Sequence, residues 1–173
     1  MTGATTIAAL NAADRTTFAA RLAGIYEHSP WVAERTWDAR PFADRNALAE
    51  ALDRVVATAA DDEQLDLIRR HPRLGARAPM ARHSEAEQGG AGLRAMADEE
   101  RARLFELNEQ YERRFGFPFI LAVKGLTVRD IIANCRARLA NEVAAEHEEA
   151  LRQIRRIVVF RLTDTVAAGP DGD

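Results

Sequence analysis

The chain has 173 residues, 47% hydrophobic and 29% charged, with a formal net charge of −3 at pH 7. That is enough for one domain with a core of its own, and the mildly acidic balance, with bases scattered among acids, excludes the electrostatic footprint of a nucleic-acid binder. A single cysteine, Cys135, excludes a disulfide framework and a cysteine zinc cluster, and no apolar run approaches the ~20 residues that span a membrane. The opening MTGATTIAAL lacks the basic and apolar regions of a secretory signal, and the closing AAGPDGD lacks a Ser-Lys-Leu-type address, so the cytoplasm is the expected compartment.

Asn11 stands three residues before Asp14, the spacing of a capping box with Asp in the acidic position. Phe18, Leu22, Ile25 and Tyr26 follow at helical spacing. His28-Ser29-Pro30 interrupts, because a residue before proline is pushed out of the α region. A short helix is expected over 31–37 and a second break at Arg40-Pro41. Asp44 is the expected N-cap of a helix carrying Leu48, Leu52, Val55 and Val56. Asp61-Asp62 starts the next, which has Leu65, Leu67 and Ile68 and ends on Arg69 and Arg70, where cations meet the helix dipole.

Pro72 stops that helix and leaves His71 at its last turn. Residues 71–93 then show no hydrophobic period, and a long irregular segment in a helical domain is more often functional than not. Near its end Ser84 and Glu87 have capping-box spacing. A long helix is expected over 97–114, with Leu104, Leu107 and Tyr111 inward and Glu99–Arg103 and Glu109–Arg113 as i,i+4 pairs. The apolar run 115–123 holds a glycine and a proline and reads as a buried extended connection. Thr127 caps a helix with Val128, Ile131, Ile132, Cys135 and Leu139. A last helix follows over 143–166. The expectation is an all-α, single-domain irregular bundle of seven or eight helices over 1–168, with a disordered tail at 169–173.

Three places invite chemistry. Arg161 is seven, four and three residues beyond Ile154, Ile157 and Val158, so its guanidinium falls on the apolar face of the last helix. It either snorkels or meets structural acceptors, or it clamps an anion with its planar fork. His71, fixed by Pro72, occupies a favourable dipole position or serves as a proton donor and acceptor. Ser84 and Glu87 are explained by a capping box alone, but Gln88 and the small residues Gly89, Gly90, Ala91 and Gly92 also suit close approach by a ligand. A Ser84–His71 nucleophilic pair would need an orienting acid and an oxyanion hole to which no residue points. His28 lies in a turn, His147 sits among glutamates on a polar face, and Cys135 reads as core. No phosphate loop and no His-x-x-x-His metal spacing is present.

Taken together, His-Ser-Pro-Trp at 28–31, Arg-Pro-Phe at 40–42, His-Pro-Arg-Leu-Gly at 71–75, Ser-x-x-Glu-Gln at 84–88 and Ala-Gly-Leu at 91–93 form an ordered set. Leu-Asn-x-x-Tyr at 107–111, Phe-Gly-Phe-Pro-Phe-Ile at 115–120 and Arg-Leu at 161–162 complete it. The set resembles the decarboxylases of 2-oxo-4-hydroxy-4-carboxy-5-ureidoimidazoline (OHCU), which form (S)-allantoin in urate breakdown. The connection between His71 and Ser84 is shorter than in many relatives. The resemblance implies an all-α homodimer that uses neither metal nor organic cofactor and binds neither nucleic acid nor membrane. It implies His71, Glu87 and Arg161 as catalytic residues. It implies a substrate site formed by Pro72, Ser84, Glu85, Ala86, Glu87 and Gln88, with Phe119, Ile120, Leu121, Ala122, Val123 and Arg161. The competing expectations are a helical small-anion binding module without turnover, and a hydrolase of a related ureido compound.

Overall fold

Side-chain oxygens start several helices, and the chain's architecture can be read from where they stand. The structure, a computed structural model, describes residues 5–75 and 82–168; the side chains of 82–85 lie outside that description, as does the tail expected at 169–173. Among the described residues the chain is all-α, with nine α-helices, one 3-10 turn and no strand beyond a single parallel bridge between Thr5 and Val166. The helix number exceeds the expected seven or eight because the N-terminal and 71–93 regions each fold one more short helix than their hydrophobic patterns announce. Two compact units emerge, residues 1–64 with 155–173 and residues 65–154.

In the first unit, α1 (Ile7–Ala12) is capped by Thr6, α2 (Arg15–Arg21) by Asp14 and α4 (Arg45–Ala57) by Asp44. The Asp14 carboxylate accepts the Thr17 N–H at 2.8 Å, and this bond is the main reason its pKa falls below the ordinary value. Asp14 is thus a cap in its own right, not the partner of Asn11. Asn11 lies inside α1, and its carboxamide closes on the backbone of Phe42: Nδ2 donates to the carbonyl and Oδ1 accepts the N–H, both at 2.8 Å. Phe18, Leu22, Ile25 and Tyr26 are buried as expected, although α2 ends at Arg21 and the last three lie in the turns beyond it. The expected 31–37 helix is α3 (Trp31–Thr36), continued by the 3-10 turn Trp37–Ala39. Helix α3 packs on α2 and on α4.

The second unit begins within α5 (Asp61–Arg69) and ends within α9 (Val143–Thr165). Residues Arg82–Gly90 form a nine-residue helix, α6. Ser84 and Glu87 therefore stand in the body of a helix and not at its cap, so the capping-box reading is replaced. The apolar period that would have announced this helix is missing because its residues are mostly polar or glycine. Helix α7 (Asp98–Phe115) ends in a left-handed Gly116, φ +78°, whose N–H returns to the Glu112 carbonyl. The expected Glu109–Arg113 pair is present, while Arg103 meets Glu106 instead of the expected Glu99. Thr127 and Asp130 cap α8 (Val128–Arg138) reciprocally, and α8 packs on α7.

Inside this unit a polar cluster joins α7, α8 and α9. Glu146, fully buried, accepts from the Tyr111 hydroxyl at 2.5 Å and from Arg138 Nε at 2.5 Å, and its other oxygen accepts from Asn141 at 2.8 Å. The Tyr111 ring packs against Phe115, Phe117 and Phe119, tilted or edge-on, with centroids 4.6 to 6.0 Å apart, and Phe115 stacks on Phe117 at 6.1 Å. His147, expected in solvent, is half-buried with its ring edge toward Phe117 at 6.4 Å. Burial pushes the Cys135 thiol up to about 12 from its ordinary 9.0, and it raises the Tyr111 hydroxyl as well. The folded state holds these protons more tightly than the unfolded chain, so their contribution to stability is whole below about pH 9 and declines as pH climbs toward 12. Urea unfolding across pH 8 to 11 is expected to show a falling midpoint, with native Cys135 inert to thiol reagents at pH 8; a thiol that labels in the folded protein at that pH contradicts the burial argument.

Candidate active site

Helix α5 ends at Arg69, two residues before His71, and Pro72 cannot continue it. The His71 N–H still reaches back to the Ile68 carbonyl at 3.1 Å, while the side chain is half-buried with Nε2 shielded from solvent. The three residues after Pro72 are tied down one after another. Arg73 forks onto Glu112 of α7, with Nε–Oε1 at 2.7 Å and a shorter Nη2–Oε2 contact, and its Nη1 reaches Glu109 at 3.1 Å. The hydrogen bond to Glu112 is the main cause that raises the Arg73 pKa still further. Asn108, 2% exposed, donates to the Leu74 carbonyl at 3.0 Å. Gly75 donates its N–H to Gln88 Oε1 at 2.9 Å.

That last bond joins the two ends of the stretch and settles which way the Gln88 amide points. A backbone N–H can only donate, so the carboxamide oxygen must face Gly75 and the NH2 group is left to face elsewhere. Gln88, 6% exposed, thus presents donors to any ligand it meets. Glu87 is half-exposed and Ala86 exposed. An added Cβ at Gly89 or Gly90 would meet no atom within 4 Å, so the end of α6 faces open space as the small residues suggested. Pro72 is half-buried beside His71. Residues 76–81 and the side chains of Ser84 and Glu85 lie outside the described residues.

The connection expected after α7 is buried and without regular structure. Residues 116–123 form no helix or strand, and Phe119, Ile120, Leu121, Ala122 and Val123 are at most 5% exposed. Arg138 Nη1 donates to the Ile120 carbonyl at 2.6 Å, and Gln153 Oε1 accepts the Ala122 N–H at 3.0 Å. The other four N–H groups of 119–123 have no acceptor among the described residues. A buried N–H left without an acceptor costs about 1–3 kcal/mol, so these groups are open to acceptors from water or from a ligand.

Arg161 belongs to the first unit and is 1% exposed, the inward placement its spacing predicts. Its Nη1 donates to the Ile25 carbonyl at 3.2 Å and stands 3.5 Å from the Gly24 carbonyl. Backbone acceptors therefore hold one arm of the fork, which gives the structural reading of this arginine a real share. Asn108, Arg138, Glu146 and Gln153 escaped the sequence reading. Asn108 lies four residues after Leu104 and three before Tyr111, and Arg138 three after Cys135. The apolar-face criterion that selected Arg161 would have found both.

The second unit thus carries a proline-fixed histidine, a buried glutamine whose NH2 group is turned away from Gly75, and a buried connection with open amides, groups of the kind that hold oxygen-rich ligands. A family model described as OHCU decarboxylase matches residues 11–163, and the chain belongs to that family. A 2-oxo-4-hydroxy-4-carboxy-5-ureidoimidazoline decarboxylase of Halalkalicoccus jeotgali is 37% identical over 92% of this chain and 90% of its own length. The uric acid degradation bifunctional protein PucL of Bacillus subtilis is 45% identical over 91% of this chain. The chain spans about a third of that protein's length (32%), and the same share of a second bifunctional relative from Bacillus sp. TB-90. Among solved structures, an (S)-allantoin synthase superposes with a TM-score of 0.76 at 28% identity, over 94% of this chain and 54% of that one.

Gly75 adopts φ +75°, and a Cβ there would stand 3.0 Å from Leu104 Cδ2 and 3.2 Å from Met96 Cε. Gly75→Ala is expected to cost roughly 1–2 kcal/mol from the left-handed backbone alone. Thermal unfolding should show a Tm several degrees lower; an unchanged Tm would mean that 71–75 is not held in this conformation.

Proposed function

We propose that the chain, as a domain over 1–168, catalyses the cofactor-independent, stereoselective decarboxylation of OHCU to (S)-allantoin. The observation that carries the reading is the bond from Gly75 to Gln88, which places a fixed set of donors on the same short stretch as His71 in a member of this family. The substrate is small, planar and anionic, with its carboxylate on a carbon that also bears a hydroxyl. Breaking the bond to the carboxylate releases carbon dioxide, and the electron pair passes into the adjoining C=N of the imidazoline ring. A proton then returns to one face of that carbon. The ring itself accepts the electrons, so the protein's work is to bind, to turn the carboxylate out of plane and to deliver the proton. Donors placed where charge develops are often the largest catalytic contribution.

Within this reading His71 moves the proton, and Pro72 and residues 84–88 hold the polar edge of the substrate. Glu87 orients the His71 imidazole or holds the substrate hydroxyl. The amides of 119–123 and the guanidinium of Arg161 bind oxygens. The protein is further proposed to be a cytoplasmic homodimer, which sedimentation equilibrium tests directly. Among the described residues no helix is long and apolar enough to cross a membrane.

Substrate generated in situ from urate and followed by circular dichroism tests the activity. The wild-type protein is expected to speed decay and to bias the product toward one hand of allantoin. Binding without faster decay would instead support a binding module, and ammonia or a ring-opened acid in place of carbon dioxide a hydrolase. His71→Asn should lose at least about 100-fold in rate while folding normally; turnover near wild type removes it from the proton role. Arg161→Lys should lower kcat/KM about tenfold, because an ammonium cannot reproduce the fork. An unchanged kcat/KM returns Arg161 to its carbonyl contacts alone.

A further inference from the structure

The carbonyl of Leu74 and the N–H of Gly75 belong to one peptide group. That group is trans, so its oxygen and its hydrogen point to opposite sides of one plane. Each side meets a carboxamide. Asn108 Nδ2 donates to the Leu74 oxygen at 3.0 Å, and Gln88 Oε1 accepts the Gly75 N–H at 2.9 Å. Both carboxamides are buried, Asn108 at 2% and Gln88 at 6% exposure, and all four residues lie in the second unit. Three amides therefore stand head to tail: Asn108, the 74–75 peptide and Gln88. A half-turn of the middle one changes mainly ψ of Leu74 and φ of Gly75, and glycine takes a negative φ as readily as its present +75°. After such a turn the Gln88 amide would have to donate to the Leu74 oxygen, and its own oxygen would be left to face a ligand. Asn108 stands among the buried residues Leu104, Leu107 and Tyr111 of α7. Among the described residues its side chain makes one hydrogen bond, to Leu74, and its Oδ1 is buried without a partner. What this buried carboxamide supplies is its donor.

We propose that Asn108 is a positioning residue for substrate, acting through the 74–75 peptide and Gln88. It fixes the peptide plane so that Gln88 presents donors and not an acceptor. Aligned amides also polarise one another, which strengthens the donors at the end of the row. Asn108 touches no ligand. That the ligand is rich in oxygen acceptors rests on the decarboxylase reading; the hold of Asn108 on the peptide does not require turnover.

Asn108→Leu keeps the branched shape of the side chain and removes its donor. Hydrogen exchange at the Gly75 amide is expected to quicken about tenfold or more relative to that at Tyr111, which lies inside α7 and reports general opening. KM for substrate is expected to rise about tenfold with kcat changed far less, because Gln88 binds and does not move the proton. An unchanged exchange ratio, an unchanged KM or a loss confined to kcat overturns the proposal. If Asn108→Leu does not fold, resonances of the active wild-type protein titrated with (S)-allantoin decide. The Gln88 NH2 group and the Gly75 N–H shifting together support the relay, and a response at one without the other, or at neither, overturns it. Quickened Gly75 exchange in the variant of a protein whose wild type does not speed substrate decay keeps the hold of Asn108 and removes the proposed reaction. Decay at the wild-type KM in that variant removes the hold and keeps the reaction.

Discussion

The Gly75 N–H bond to Gln88 is the constraint on which the candidate site depends. The two stand thirteen positions apart in sequence, and the bond ties Gly75 to α6 with one donor and one acceptor. Alone it is worth only about 1 kcal/mol. It matters because its neighbours leave the chain no slack: Arg73 is forked onto α7, Leu74 is held by a buried asparagine, and Gly75 adopts a backbone conformation that other residues rarely take. Three consecutive residues after His71 and Pro72 thus fix the direction in which the chain leaves α5. The same bond spends the oxygen of Gln88 on the protein and turns the amide's donors toward whatever lies opposite.

The buried cluster of Tyr111, Arg138, Glu146 and Asn141 follows another logic. Such a cluster is weak support for stability, since desolvating both charges offsets much of their attraction. Its geometry specifies arrangement instead. Arg138 spends one arm on Glu146 and another on the Ile120 carbonyl, so α7, α8 and α9 are registered against the extended segment by a single side chain. A hydrophobic replacement of equal volume would fill the space and leave the segment free to rotate. Buried polar groups thus fix the placement of 119–123.

Much of the fold was legible because its signals are local. Asp44 and Thr127 cap helices as read, α5 ends just before Pro72, and the glycine and proline of 115–123 mark a buried connection without helix or strand after α7. Arg161 was placed inward by spacing alone. The N-terminal cap was misjudged because Thr6, earlier in the chain, takes the role given to Asn11, and a long-range partner, Phe42, claims the asparagine. Helix α6 was hidden because it is held by its surroundings and not by an apolar stripe. Partners distant in sequence, such as Gln88 with Gly75 or Gln153 with Ala122, leave no periodic trace, and the bonds that aim the site are of that kind.

The donors held by these bonds and the His71 imidazole are proposed to meet one ligand. A crystal structure of the protein with (S)-allantoin tests it most directly. The ligand's oxygens are expected to accept from the Gln88 NH2 group and from an N–H of 119–123, with the His71 ring against the same molecule. Allantoin bound without contact to either Gln88 or 119–123 would contradict it.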